Sequence, residues 1–294
     1  MSLLQQLLKN KMAWISIGII LGISLMAIFA PYIAPHDPLD VELARRLQPP
    51  STTFPLGTDH LGRCILSRLI YGARISLSIA LAVTALTTTV SLTVGLMAGY
   101  IGGRMDSVLM RICDVFLSFP NLILALAIVG VMGSNVINIV IALGASHWAW
   151  YARIVRSKVL SLKAENFIKA AIVAGTGGFH LMVKHLLPYT IAEIAILASL
   201  DMGSVILHIS ALSFLGLGIQ PPAPEWGAMI TDGREFFRRE PGLMIYPGLM
   251  IFIVALSFNL LGDALRDALD PRLGKTIKPT RSPLSNAEAP LPNG

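Results

Sequence analysis

The stretch VFLSFPNLILALAIVGVMGSNVINIVIALGASHWAWYA, Val115 to Ala152, contains no Asp, Glu, Lys or Arg. A bilayer core about 30 Å thick is crossed by a helix of roughly 20 apolar residues. The stretch is too long for one such helix and fits two, with Gly133-Ser134-Asn135 as the turn between them. Working outward, Met12–Ala34, Ile75–Gly103 and Pro241–Gly262 are equally free of charge, and Tyr189–Pro224 holds only Glu193 and Asp201. Hydrophobic residues make up 54% of the 294 and charged residues only 14%. A soluble domain usually carries about 25% charged residues. The expectation is an all-α polytopic membrane protein with six transmembrane helices, near 13–33, 76–101, 114–132, 136–152, 191–217 and 243–262.

These spans form one domain over 13–262, preceded by a cytoplasmic N-terminus at 1–12 and followed by a cytoplasmic tail at 263–294. Lys9 and Lys11 precede a first apolar run longer than the 7–15 residues of a typical signal-peptide core, so it reads as a retained helix. With the N-terminus inside, eight of the 23 Lys and Arg fall on outer segments, where eight acids match them. The rest, including Arg104, Arg153, Arg156, Lys158 and Arg266, fall on the inner side and carry the net charge of +6. That asymmetry places both termini in the cytoplasm and points to an anionic inner leaflet of membrane lipid, with no nucleic acid required. Cys64 and Cys113 fall on opposite sides and cannot pair.

Four polar pieces separate the spans. LGTDHLGRCILSRLIYGARIS sets Leu61, Ile65, Leu69 and Ile75 at near-helical spacing beside Arg63, Arg68 and Arg74. It reads as an amphipathic helix in the outer interface or covering the bundle. QPPAPEWGAMITDGREFFRREPG is an outer loop whose WGAMITDGREFF portion suits a short helix. The loop 153–188 is the longest inner insertion, with small residues Ala170, Ala171, Gly175 and Gly177, and Pro188 is expected to stop its helix before the fifth span. Beyond Gly262 the tail begins DALRDALDPRLGKT. Gly18–Gly22, Gly95–Gly99 and Gly99–Gly103 are pairs suited to close helix packing.

No catalytic signature emerges. Leu273–Thr276, LGKT, lacks the upstream glycine and strand of a phosphate-binding loop, and neither HExxH nor GxSxG occurs. The chain is not expected to be an enzyme or to bind a cofactor.

Three stretches, Leu56–Leu77, Ala211–Ile230 and FNLLGDALRDALDPRL (Phe258–Leu273), resemble the second, C-type membrane permease of the dipeptide/oligopeptide/nickel family of ABC importers. FIKAAIVAGTGGFHLMVKHLLP (Phe167–Pro188) resembles that family's coupling loop, with Lys169 where the family usually has Glu. The outer motif reads Gly62-Arg63-Cys64 where the family usually has Gly-Arg-Asp. The resemblance covers roughly residues 10–275 and implies a type I ABC importer permease fold. It further implies a second homologous permease subunit, two ATPase subunits that hold the ATP, and an extracytoplasmic solute-binding protein. It makes 165–179 a coupling helix, with Lys169, Ala170, Ala171, Gly175 and Pro188 serving ATPase coupling.

Peptide permeases of this family usually have Glu or Gln at the position of His60, a Ser-Trp-Pro-type sequence near His147, and Glu at the position of His208. Imidazole at all three resembles the nickel branch. Neutral imidazole is a good ligand for Ni²⁺, which carboxylate assists. Asp201 and His208 are two helical turns apart and share a face, and ionisable groups inside spans mark pathways. The substrate expected is Ni²⁺ or a nickel chelate, with His208 and Asp201 as transient metal ligands and His147 and His60 along the pathway. A peptide permease of the same family is the alternative. A channel or carrier without ATPase and a passive membrane anchor are disfavoured by the coupling loop and by the charges within spans.

Overall fold

A computed structural model describes residues 10–269. The N-terminal residues 1–9, including Lys9, and the tail from Asp270, including the LGKT stretch, lie outside them. Ten helices follow in chain order: α1 Lys11–Ile28, α2 Ala30–Ile33, α3 Ile65–Ile101, α4 Gly103–Leu117, α5 Asn121–Met132, α6 Val136–Lys163, α7 Asn166–Val173, α8 Gly178–Phe214, α9 Trp226–Gly233 and α10 Gly242–Leu269. Helices α1, α3, α8 and α10 are long and apolar enough to cross a membrane, and α4 with α5 makes a fifth span if that bent pair is counted as one. Helix α6 is long but less apolar because it carries His147 and the aromatic residues Trp148, Trp150 and Tyr151, followed by Arg153, Arg156, Lys158 and Lys163. Each of the six expected spans falls on one of these helices or on the bent pair, four of them on helices long and apolar enough to cross a membrane.

Local chemistry sets the ends. Asn10 caps α1, its side chain accepting from the Met12 and Ala13 amides. Asn135, the last residue of the expected Gly-Ser-Asn turn, caps α6 by accepting from the Ile137 and Asn138 amides. Pro120 lacks an amide proton and disfavours helix at Phe119, so the expected span 114–132 is not a rod: α4 and α5 meet at 87°.

Two other expectations give way. The outer piece before the second span is no separate interfacial helix, because from Ile65 it forms the first turns of α3, with Arg68 buried among them. Pro188 does not end a helix either. Helix α8 runs through it because the π-helical turn Met182–Leu186, closed by the Leu187 amide on the Met182 carbonyl, makes room for the proline ring.

Lipid tails are as apolar as leucine, so helix association inside a bilayer rests on close packing and interhelical hydrogen bonds. Helix α3 is the central post. A Cβ on Gly95 would lie 2.5 Å from the Val155 Cβ, so only glycine lets α3 meet α6 this closely. By contrast, a Cβ on Gly18 or Gly22 would meet nothing within 4 Å. Ser91 donates from α3 to the Trp148 carbonyl of α6 (2.9 Å), and Thr84 to the Met202 sulfur of α8 (3.1 Å). Cys64 and Cys113 are both free and buried.

Candidate functional site

The polar residues of α6 and α8 meet along one seam. His147 and His208 cross it edge to face, with ring centroids 4.9 Å apart. Each imidazole is oriented by its own helix: His147 Nδ1 lies 2.9 Å from the Leu143 carbonyl, and His208 Nδ1 2.7 Å from the Ser204 carbonyl. A carbonyl oxygen only accepts, so a proton on Nδ1 satisfies both contacts; the Ser146 and Ser204 hydroxyls lie 3.0 and 3.4 Å from the same two nitrogens. His147 is 5% exposed, yet its Nε2 has no hydrogen-bond partner among the described residues. A buried acceptor left unpaired is costly and calls for an explanation.

Below the imidazoles, Tyr151 donates its hydroxyl to the Leu197 carbonyl (3.3 Å) and faces the Asp201 carboxylate. Asp201 also lies within electrostatic reach of His208. Further along the seam, Lys158 of α6 pairs with Glu193 of α8 at 2.8 Å. There a cavity of about 710 Å³ opens between α6, α8 and α10, lined by Trp150, Lys158, Tyr189, Glu193, Leu200 and Arg266 among others. The seam is therefore a ladder of donors and acceptors, and its two carboxylates sit on the same helix. Among the described residues, no three or more of His, Cys, Asp and Glu are grouped to hold a metal ion. A pathway needs weak, separated ligands, so a cage is not required.

His60 does not join the other two histidines. It stacks on Phe236, with ring centroids 5.4 Å apart, in the loop cluster around α9. That cluster holds what sequence reasoning missed. The Arg63 guanidinium reaches Asp59 (2.7 Å) and Asp232 (3.4 Å), and Arg68 reaches the same two carboxylates at 3.5 and 3.7 Å. Both arginine side chains are 2% exposed. Arg68 also donates to the Pro38 and Pro222 carbonyls, so one side chain joins the proline-rich loop, α3 and the loop before α9. Glu225, fully buried, caps α9 through the Gly227 and Ala228 amides (2.9 and 2.8 Å) and accepts from the Ser76 hydroxyl of α3 (3.2 Å). Trp226 donates Nε1–H to the Leu69 carbonyl (3.1 Å). The missed signal was the four-residue spacing of Asp59 and Arg63, which suits a local ion pair.

The expected coupling loop 153–188 is helical at both ends, leaving 164–177 between α6 and α8. The expected helix 165–179 is shorter, α7 over Asn166–Val173. Ile168, fully buried, anchors α7, while Lys169 and Ala170 are exposed and Ala171 is half-buried against the apolar cluster to which Ile168 belongs. Gly175 at φ +82° ends α7: its amide bonds the Ile172 carbonyl, and that of Thr176 the Ala171 carbonyl. This is the reciprocal C-terminal cap that glycine favours. Pro188 is exposed within α8. Lys163 donates to the Gly99 (3.3 Å) and Tyr100 (2.8 Å) carbonyls at the end of α3, and Arg153 and Arg156 pair with Asp114 and Asp106 of α4. The base of the loop is thereby clamped to α3 and α4.

Comparison with known proteins identifies the architecture. Residues 91–275 match the family described as binding-protein-dependent transport system inner membrane component, and residues 2–50 the N-terminal transmembrane domain of oligopeptide transport permease C. A nickel transport system permease protein of Escherichia coli (strain K12) is 45% identical over 87% of this chain and 92% of its own. A dipeptide transport system permease protein of Alkalihalophilus pseudofirmus is 42% identical, covering 92% and 88%. A metal-staphylopine import system permease protein of Staphylococcus aureus (strain NCTC 8325) is 42% identical, covering 95% and 96%. A chain from the crystal structure of an amino acid ABC transporter with histidines shares the fold at a TM-score of 0.53 and 17% identity, over 69% of this chain and 95% of that one.

Proposed function

As this chain belongs to the inner-membrane components of binding-protein-dependent transport systems, we propose that the cargo it passes is nickel, as the ion or a chelate. The chain is a multi-pass permease subunit of an ABC importer in the inner membrane. In the proposed assembly a second homologous permease subunit stands beside it. An extracytoplasmic binding protein delivers cargo, and two ATPase subunits bind ATP and seat on the loop around α7. Both termini lie in the cytoplasm.

The observation that carries the nickel reading is the His147–His208 pair. Two imidazoles on separate helices, each anchored through Nδ1 by a carbonyl of its own helix, meet across the seam and leave Nε2 for a ligand. Imidazole nitrogen suits Ni²⁺, and Asp201 adds a harder oxygen donor within reach of His208. The nickel and metal-staphylopine relatives support the same reading. Release is possible because His147 lies on α6 and His208 with Asp201 on α8, so that moving α6 against α8 separates the first from the other two. A peptide cargo is the second reading, supported by the dipeptide relative and by a cavity that holds Glu193 with Lys158 and Arg266, groups able to meet both ends of a peptide.

The test is ⁶³Ni accumulation by cells carrying the assembled importer. His208→Ala lowers it about tenfold or more while the ATPase still co-purifies. Accumulation equal to wild type overturns the nickel reading, and competition of labelled dipeptide for uptake supports the second.

A further inference from the structure

We propose that Lys158 and Glu193 form the loop-side gate of the transport route, an ion-pair latch across the α6–α8 seam that opens to release cargo. The inference rests on the seam being the route.

Three observations carry it. First, the pair joins the two helices that the coupling loop connects. Lys158 lies five residues before the end of α6 at Lys163, and α8 begins at Gly178 on the far side of α7. A displacement of the loop therefore acts on these two helices before any other. Helix α6 is clamped to α3 and α4 by Lys163, Arg153 and Arg156, whereas α8 leaves the loop through the π-helical turn Met182–Leu186 followed by Pro188. π-turns and prolines are where helices bend, so α8 is the element that swings and α6 the one that stays.

Second, the pair sits where the ladder of polar groups gives way to the cavity of about 710 Å³, which both its residues line. Cargo leaving His147, His208 and Asp201 along the seam reaches Glu193 next. While Lys158 holds Glu193, the ammonium places positive charge across the route and occupies the carboxylate that a cation would otherwise meet. Third, the side chains are 37% and 38% exposed, the Glu193 Oε2 that meets Lys158 is itself buried, and the contact is an ion pair without hydrogen-bond geometry. A contact held by charge alone, placed at the mouth of a polar seam, suits one made and broken in each cycle.

The test uses the importer assembled with its partner subunits in liposomes. Lys158→Cys and Glu193→Cys together are bridged with a short bis-thiosulfonate reagent, Cys64 and Cys113 being buried. Bridging lowers binding-protein-stimulated ATP turnover and uptake to background relative to the unbridged double variant, and a reductant restores that variant's own rate; each single cysteine variant treated alike shows no change from its own untreated rate. A bridged complex that still turns over ATP with stimulation overturns the gate. Charge exchange is the second arm: Lys158→Glu alone loses uptake, and adding Glu193→Lys recovers it. An exchange that leaves the loss in place likewise overturns the proposal. Stimulated ATP turnover is read without reference to nickel. Bridging that blocks turnover in a complex whose wild type takes up no ⁶³Ni therefore keeps the gate and rejects the nickel reading.

Discussion

His147 and His208 stand edge to face across the seam of α6 and α8, and the buried Nε2 of His147 has no hydrogen-bond partner among the described residues. Helices that pack through glycine, alanine and valine elsewhere here bring two imidazoles together. An unpaired buried acceptor costs about 1–3 kcal/mol. Replacing His147 by leucine removes that orphan while filling a similar volume. His147→Leu is expected to melt no lower than wild type in detergent yet to transport poorly, the pattern of a residue kept for function at the expense of stability. Thermal melting of the purified complex alongside an uptake assay checks this. A marked drop in melting temperature with uptake intact would assign His147 to packing instead.

The arginines of the outer network call for the opposite outcome. Arg63 is almost wholly buried between Asp59 and Asp232. Removing one partner of a buried pair strands the other and costs about 3–5 kcal/mol. Arg63→Met leaves Arg68 as the one arginine facing Asp59 and Asp232 and should destabilise strongly, and adding Asp59→Asn should recover part of the loss, since the excess negative charge is gone. Denaturation of the two variants in detergent measures both. Equal instability of single and double variant would show that the network works through packing rather than charge.

Glu225 offers a test of how the outer loop is held. Its carboxylate accepts two backbone amides at the start of α9 and the Ser76 hydroxyl, all out of water. Glu225→Ala loses a helix cap and leaves buried donors unpaired, about 2–4 kcal/mol in all. Glu225→Gln keeps one oxygen acceptor and should fall between. Limited proteolysis of the 220–240 segment reads the order directly: alanine cut fastest, glutamine next, wild type slowest.

Much of this architecture was legible in the sequence. The charge-free run Val115–Ala152 announced two helices, and the turn placed between them became the Asn135 cap between α5 and α6. The short helix read in WGAMITDGREFF is α9 with one 3₁₀ turn after it. Legibility failed where the deciding partner is remote. The apolar spacing of Leu61, Ile65 and Leu69 fits an interfacial helix and a buried one equally. The choice is made by Asp232, 169 residues from Arg63, which neutralises a cation that would otherwise need water. The three histidines were grouped by residue type, a criterion blind to depth, and His60 consequently separates from the other two. Pro188 was read as a stop because the π-helical turn that accommodates it has no mark in sequence periodicity.

Gly175 brings the two readings of the coupling loop into opposition. As a docking contact, it is small so that an ATPase subunit can approach, and any larger side chain should weaken the complex. As the end of α7, it is glycine because its backbone sits at φ +82°, with open space around the Cβ position. Asparagine visits that region readily, and β-branched residues pay a steep steric penalty there. Helix-end geometry therefore predicts that Gly175→Asn keeps ATPase co-purification and most of the transport, whereas Gly175→Val loses both. The expected cost of valine is about 1–2 kcal/mol in the turn itself, from the Cβ–carbonyl clash. Co-purification of the ATPase with each variant decides the matter. If asparagine and valine weaken it alike, the partner presses on Gly175 itself; if only valine does, the glycine serves to turn the chain so that the exposed face of α7, with Lys169 and Ala170, meets the partner.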